Sequence, residues 1–343
     1  MSPMRSRSLA RILAIAVSVV AAALVPTGAA RAEANEVRIA QQFGVNYLPL
    51  TVMRERGLVE KHAQRLGLGT VKVSWLQFGA GNVMNEALFA GTLDFASGGV
   101  GPLLKVWDRT KGNMEVRGVA SLGSMPLYLN TTNPKVKSVA DFGPGDKIAL
   151  PAVKVSIQAI VLQMAAAKAF GIDNYAKLDE LTVSMKHPDA MSALTSGKTE
   201  INAHFANSPF QEQELQSPGV RRVLNSYEVL GGPSTLNSVY ATKEFVDANP
   251  KLYRAVLDAL KDAVQIINQD KRAAAQLYVE AEKSKLSPEF VQKILEDPDF
   301  VVTTTPKGIM KYAEFMHKVK GIRNLPASWK DVYFEGIHDE QGD

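Results

Sequence analysis

Short apolar runs alternate with amphipathic stretches along most of the chain, and this alternation predicts an α/β fold with mainly parallel sheets. The predicted strands are rich in β-branched and aromatic residues. Several of the predicted helices end at a glycine, which is typical of a helix C-terminus. The first unit has the order β-α-β-α-β. Its elements are predicted over residues 37–43, 49–66, 70–78, 82–90 and 93–97.

The middle of the chain repeats this order. Ser156 is typical of a helix N-cap, because its hydroxyl oxygen can accept a hydrogen bond from the first turn. Residues 87–95 and 193–201 also match each other in an apolar pair, a glycine and an acidic residue before a strand. This repetition predicts two lobes built on the same plan. The elements of the middle unit are predicted over residues 147–150, 157–170, 181–185, 190–196 and 200–205.

Two stretches rich in turn-forming residues, 131–134 and 231–234, flank the middle unit and predict the lobe boundaries. We expect lobe 1 to comprise residues 33–132 and 232–343, and lobe 2 to comprise residues 133–231. The chain would then cross between the lobes twice, through a two-strand hinge. Because open α/β sheets bind ligands at the carboxyl ends of their strands, we expect a ligand cleft between the lobes. Helical patterns near 250–268, 271–282, 288–296 and 306–319 would complete lobe 1.

The first 32 residues have the pattern of a signal peptide. A basic stretch, 1–11, precedes an apolar stretch, 12–25, and the segment ending at Ala32 provides the small residues that signal peptidase reads. We predict cleavage after Ala32 and a periplasmic mature protein. The apolar stretch is shorter than the roughly 20 residues that a membrane anchor needs. Because the sequence contains no cysteine, we expect no lipoprotein anchor, disulfide, cysteine-ligated metal or thiol nucleophile.

The formal net charge of +4 at pH 7 comes from the four arginines of the predicted signal peptide, which contains no acidic residue. The remaining chain is electrically balanced, so we expect no nucleic acid partner. The 5 histidines are not spaced as metal ligands, and the sequence has no nucleotide-binding glycine loop and no Gly-x-Ser-x-Gly motif. We therefore expect no metal, no cofactor and no catalytic residue, and we expect that the protein is not an enzyme.

Five segments resemble the nitrate, sulfonate and taurine solute-binding proteins of ABC importers: residues 37–41, 78–88, 91–99, 138–142 and 189–197. The chain is also similar to the thiamine-pyrimidine precursor group, which contains both binding proteins and a biosynthetic enzyme. The resemblance covers nearly the whole mature chain. It implies a two-lobe periplasmic binding protein fold of type II that closes on a small ligand and presents it to an ABC permease.

One loop departs from this pattern. Where family members carry a loop rich in Gly and Ser that binds an anion, residues 151–158 are more apolar, and only Ser156 clearly remains. A small carboxylate or an aromatic acid therefore fits this wall at least as well as a sulfonate or nitrate. An enzyme on the same fold and a sensory binding protein remain alternatives to an importer component. We expect a monomer.

We expect the ligand contacts in loops that begin helices, because backbone N–H groups there attract anions. Aromatic rings and amides at strand ends can add stacking and hydrogen bonds, and a lysine or histidine can pair with an acid group. The candidate binding residues are Phe43, Asn46, Tyr47, Gly79, Asn82, Ser97, Gly98, Gly99, Lys154, Ser156, His204 and Asn207.

Overall fold

The computed structural model describes residues 32–343. The predicted signal peptide therefore lies outside the described residues, except for its last residue. Within the described range, no helix is both long enough and apolar enough to cross a bilayer. The strands are β1 (Glu36–Gln41), β2 (Lys72–Gln77), β3 (Ala96–Gly99), β4 (Arg117–Ser124), β5 (Tyr128–Thr131), β6 (Ile148–Leu150), β7 (Thr182–Ser184), β8 (Ala203–Ala206), β9 (Arg221–Asn225) and β10 (Thr235–Ala241).

Helices flank these strands and account for most of the C-terminal third. They are α1 (Leu48–Arg56), α2 (Leu58–Arg65), α3 (Gly81–Phe89), α4 (Val100–Thr110), α5 (Ile157–Phe170), α6 (His187–Ser196), α7 (Phe210–Leu215), α8 (Ser226–Leu230), α9 (Lys243–Ala248), α10 (Pro250–Gln269), α11 (Lys271–Ala281), α12 (Pro288–Glu296) and α13 (Ile309–Lys318). The α/β fold class predicted from the sequence is confirmed.

The strands form three sheets in the described chain, with the orders β1-β2, β3-β10-β4 and β7-β6-β8-β5-β9. Parallel pairing joins β1 to β2 and joins β6 to both β7 and β8. Strands β5 and β10 pair antiparallel with all of their neighbours. The first sheet is therefore parallel, the second is antiparallel, and the third is mixed. The parallel pairs are those within the βαβ units, because parallel neighbours require a crossover connection. Strand β5 instead follows β4 directly and enters a different sheet.

The predicted helix over residues 49–66 is wrong in one respect: the structure divides it into α1 and α2 at Gly57. Gly57 has a φ of 57°, a left-handed conformation that glycine adopts without steric strain. It ends the first helix and begins the second. Both helices pack against α10. Their apolar residues therefore give no sign in the sequence of the turn at Gly57.

Strands β4, β5, β9 and β10 were not predicted from the sequence. Strand β10 is buried along its whole length, and strand β4 is buried except at its first residue. Neither strand therefore shows the alternation of apolar and polar residues that marks a half-exposed strand. The C-terminal segment packs on β4: Phe334 N–H donates to Gly118 O at 2.8 Å. A Cβ on Gly118 would lie 2.3 Å from the ring of Tyr333, so only glycine allows this approach.

Candidate functional site

A narrow cavity lies between the third sheet and the other two sheets. Its volume is about 20 Å³, which is room for a single water molecule. A larger ligand can enter only if the two sides separate. Its walls are formed by Gln42, Phe43, Tyr47, Gly81, Gly99, Pro102, Leu236 and Asn237 on one side, and by Pro151, Ser156, Ile157, Gln158, His187 and Asn207 on the other.

Four helices begin at this cavity. Gly81 and His187 are the first residues of α3 and α6, and Gly99 and Ser156 are the N-caps of α4 and α5. Ser156 Oγ accepts a hydrogen bond from Ala159 N–H at 3.3 Å. Helix N-termini carry partial positive charge and unpaired N–H groups. None of the described lining residues is acidic, so no carboxylate of this lining offsets that partial positive charge.

Helices α4 and α5 begin directly against each other, although one follows the second sheet and the other belongs to the third. A Cβ on Gly99 would lie 2.7 Å from Ile157 Cβ. A Cβ on Gly101 would lie 2.9 Å from Ile160 Cγ1. Glycine on α4 thus leaves the room that the side chains of Ile157 and Ile160 on α5 occupy, and the first turns of both helices lie close together.

A polar contact also joins the two sides. Asn207 Nδ2 donates to Asn46 Oδ1 at 2.8 Å and to Phe43 O at 3.3 Å, and Val45 N–H donates to Ser208 O at 3.0 Å. The other ends of the two amides, Asn46 Nδ2 and Asn207 Oδ1, are buried without a hydrogen-bond partner. A buried polar atom without a partner is destabilising by about 1–3 kcal/mol. Both amides therefore have hydrogen-bonding capacity that the described structure leaves unused.

Five buried side chains, the first two of which line the cavity, form what we term the buried relay: Gln158, His187, His204, Glu214 and Asn130. Gln158 Nε2 lies 3.2 Å from His187 Nε2, and His187 Nδ1 lies 2.8 Å from His204 Nε2. His204 Nδ1 contacts Glu214 Oε1, and Asn130 Nδ2 donates to Glu214 Oε2 at 2.9 Å. The contacts connect the cavity to the interior of the third sheet.

His187 is held in this relay by packing as well as by hydrogen bonds. Its ring stacks on Phe210, with centroids 5.7 Å apart. Burial lowers the pKa of His187 well below its usual value, and the neighbouring His204 lowers it further. His187 is therefore uncharged at neutral pH. Burial also raises the pKa of Tyr47, which lines the opposite wall as a neutral phenol.

The structure brings five of the predicted binding residues to the cavity: Phe43, Tyr47, Gly99, Ser156 and Asn207. Asn46 contacts the last of these. Ser97 and Gly98 lie behind the wall. Ser97 Oγ donates to Ala40 O at 2.5 Å and so joins β3 to β1, and a Cβ on Gly98 would lie 3.3 Å from Tyr240 Oη.

The remaining four predicted residues also do not line the cavity. Lys154 and Asn82 are exposed. The turn that presents Lys154 gives it a φ of 62°, and its carbonyl accepts a hydrogen bond from Lys105 Nζ at 2.7 Å. A Cβ on Gly79 would lie 3.5 Å from Lys186 Cβ, outside the lining. His204 is fully buried and reaches the cavity only through His187.

Sequence reasoning missed four polar lining residues: Gln42, Gln158, His187 and Asn237. The sequence does contain one indication of His187. Pro188 is typical of the first turn of a helix, so it predicts that a helix begins at His187. The relay itself could not be found this way, because His187 and His204 meet only when α6 packs against β8.

The sequence matches the model of the NMT1-like family over residues 30–281, well over half of the chain. A search of curated protein sequences gives no significant match. Among solved structures, the chain is similar to the alkanesulfonate-binding protein SsuA from Xanthomonas axonopodis pv. citri bound to MOPS, with 21% identity and a TM-score of 0.67 over 88% of this chain and 96% of that chain.

Two further structures share the fold. The periplasmic aliphatic sulphonate binding protein SsuA from Escherichia coli is 19% identical, with a TM-score of 0.62 over 88% of this chain and 92% of that chain. The periplasmic nitrate-binding protein NrtA from Synechocystis PCC 6803 is 17% identical, with a TM-score of 0.59 over 75% of this chain and 69% of that chain. The resemblance inferred from the sequence is confirmed. The fold is the two-lobe fold of periplasmic binding proteins, and the chain belongs to the NMT1-like family.

Proposed function

We propose that the protein binds a small organic anion in the cavity between two lobes and delivers it to the permease of an ABC importer. One observation carries the proposal: four helix N-termini meet at a cavity whose described lining contains no acidic side chain. Such an arrangement stabilises an anion without burying a cationic side chain. The similar sulfonate- and nitrate-binding structures support it through the shared fold.

The sheets support the proposed division into lobes. All strands of the third sheet come from residues 128–225, and the other two sheets use residues 36–124 and 235–241. We place the two crossings of the hinge between β4 and β5 and between α8 and β10. The predicted boundary at residue 132 therefore moves to the start of β5. Ligand that contacts both lobes would stabilise the closed form, which would then be recognised by the permease.

The apolar residues of the lining indicate which kind of chemical group is attached to the charged group of the anion. Pro102, Pro151, Ile157 and Leu236 surround the polar groups. An organic sulfonate or carboxylate with a short apolar group would bury that group against these residues and place its charge at the helix N-termini. We propose a periplasmic protein released by the predicted signal peptide, acting as a monomer and returning its ligand chemically unchanged.

A screen of anions against uncharged molecules of the same shape tests the function. Methanesulfonate, taurine, nitrate, propionate and benzoate are compared with propanamide and benzamide in a thermal unfolding assay. A ligand present at about 100 times its Kd should stabilise the folded protein by about 2.7 kcal/mol and raise Tm. We expect at least one anion, and neither amide, to do so. Equal shifts with the amides would contradict the proposal, as would a ligand altered after incubation in a mass spectrum.

Asn207→Ala should weaken binding of the anion found in that screen by about 1–3 kcal/mol, because it removes a polar partner in the cavity and strands Asn46. Isothermal titration calorimetry measures the change. Lys154→Ala is the matched control, since Lys154 is exposed and does not line the cavity; its affinity should equal that of the wild type. The reverse result, loss of binding in Lys154→Ala alone, would place the site elsewhere.

A further inference from the structure

A second cavity lies beside the first hinge crossing, between β5 and α7 on one side and α12 on the other. Its volume is about 210 Å³. At roughly 30 Å³ for one water molecule, this is room for about seven non-hydrogen atoms. It shares no described lining residue with the proposed anion cavity. We term it the hinge pocket, and its principal lining residues are Pro126, Tyr128, Glu212, Phe290, Ile294 and Phe300.

Glu212 contributes a carboxyl group to the hinge pocket, and one of its two oxygens has no partner. Glu212 Oε1 accepts hydrogen bonds from Ser208 Oγ at 2.8 Å and from Gln211 Nε2 at 2.9 Å. The backbone fixes the orientation of that amide, because Gln211 Oε1 accepts from Tyr128 N–H at 3.0 Å. Glu212 Oε2 is buried without a hydrogen-bond partner among the described residues. A ligand that donates a hydrogen bond to Oε2 would therefore remove an unfavourable burial.

The same carboxyl group also lacks a compensating charge. Burial raises the pKa of Glu212, the hydrogen bonds from Gln211 and Ser208 lower it in part, and the nearby carboxylate of Asp297 raises it further. The result is a pKa above its usual value, so ionisation at this position is unfavourable. Lys293 and Asp297 at the rim of the pocket are both exposed, and water and salt screen such charges. A positively charged ligand beside Glu212 would favour the ionised form of its carboxyl group.

The remaining walls of the hinge pocket are apolar and aromatic. Phe290, Ile294 and Phe300 line it from one lobe, and Tyr128 lines it from the other, with Pro126 in the hinge crossing between them. Apolar surface of this kind accommodates the hydrocarbon part of a ligand, and aromatic faces attract organic cations. A metal ion fits less well, because within residues 32–343 no group of three or more His, Cys, Asp or Glu side chains could hold one. The lining therefore favours an amine with a hydrocarbon group.

We propose that the hinge pocket is a second ligand site, which binds a small organic amine in its protonated form, with an ammonium N–H group donating to Glu212 Oε2. The hydrocarbon part of the amine packs against Phe290, Ile294 and Phe300. A rotation about the last side-chain torsion of Glu212, which has a broad energy minimum, turns the buried oxygen toward the ligand. The site is additional to the proposed anion cavity and does not depend on it.

Methyl NMR of the wild-type protein tests where an amine binds. The isoleucine δ1 methyl groups are labelled with ¹³C, and the signals of Ile294 and Ile157 are assigned with Ile294→Val and Ile157→Val. Benzylamine and benzyl alcohol are titrated at pH 7, because the two probes are alike in shape and only the amine is charged. We expect benzylamine to shift the Ile294 signal with a Kd about 10-fold lower than that of benzyl alcohol, as is typical of a hydrogen bond to a charged group.

Ile157 is the internal control, because it lines the proposed anion cavity and not the hinge pocket. Its signal should not shift with benzylamine. Equal affinities for the two probes would overturn the proposal, and so would a shift of the Ile157 signal without a shift of the Ile294 signal.

Variants at charged positions test which group holds the amine. Glu212→Gln keeps the shape and one acceptor but removes the charge, so we expect its affinity for benzylamine to fall about 10-fold and its affinity for benzyl alcohol to stay the same. Glu296→Gln is the matched control, because Glu296 is exposed on α12 and lies outside the lining. Its affinity for benzylamine should change by less than about 2-fold, since exposed charges contribute little. Lys293→Gln removes the cation at the rim and should bind benzylamine at least as tightly as the wild type.

Unchanged affinity for benzylamine in Glu212→Gln, or a loss of affinity in Lys293→Gln, would refute the site. Should Glu212→Gln fail to fold, the comparison of the two probes in the wild type decides the question. These results bear on the hinge pocket alone, because it shares no described lining residue with the proposed anion cavity.

Discussion

Gly99→Ala is expected to weaken anion binding by about 5-fold to 150-fold, which corresponds to the 1–3 kcal/mol typical of an overpacked contact. The added Cβ would lie 2.7 Å from both Cβ and Cγ2 of Ile157. The Cβ atoms of both residues are attached to the backbone, so neither can be moved by a rotation of a side chain. Gly99 has a φ of −61°, which alanine adopts without strain. The added methyl group should therefore hold the two walls apart without changing the local backbone conformation.

Calorimetry with the anion found in the screen measures this effect, and small-angle scattering shows whether the closed form is lost. Gly81→Ala is the matched control, because Gly81 lines the same cavity and begins α3, but its added Cβ would meet Pro102 at an ordinary 3.5 Å. The control should change affinity by less than about 2-fold, since such a contact requires no shift of the neighbour. Wild-type affinity in Gly99→Ala would show that binding does not require the walls to meet here.

Glu214→Ala is expected to lower the free energy of unfolding by about 1–3 kcal/mol for each buried group that it leaves without a hydrogen-bond partner. The variant strands His204 Nδ1 and Asn130 Nδ2, both of which contact the Glu214 carboxylate in the interior. Glu214→Gln keeps the volume and one acceptor, so its loss should be smaller. Urea unfolding monitored by circular dichroism gives these free energies.

Leu215→Ala serves as the comparison on the same helix. Leu215 is 37% exposed, and a change of an exposed side chain usually stays within about 0.5 kcal/mol. Equal losses in Glu214→Ala and Leu215→Ala would mean that α7 contributes to stability through helix packing alone. That result would contradict the role of Glu214 as the buried hydrogen-bond partner of His204 and Asn130.

The candidate site was partly predictable because several of its residues obey local rules. Ser156 was predicted as an N-cap from its residue type and the apolar period that follows, and it caps α5 in the structure. Gly99, Phe43, Tyr47 and Asn207 were predicted from their positions at the ends of strands, and they line the cavity. In contrast, Lys154 was chosen for its charge, which says nothing about the direction of a loop side chain.

The sequence by itself determined the α/β class, most of the helices and the glycine at the start of α4, because these follow from local periodicity, caps and turn residues. Tertiary structure alone decided that four helix N-termini meet at one cavity and that Gln158, His187, His204 and Glu214 form a continuous buried chain. The reason is physical: a helix start is encoded within a few residues, whereas a hydrogen bond between α6, β8 and α7 exists only after distant elements pack together.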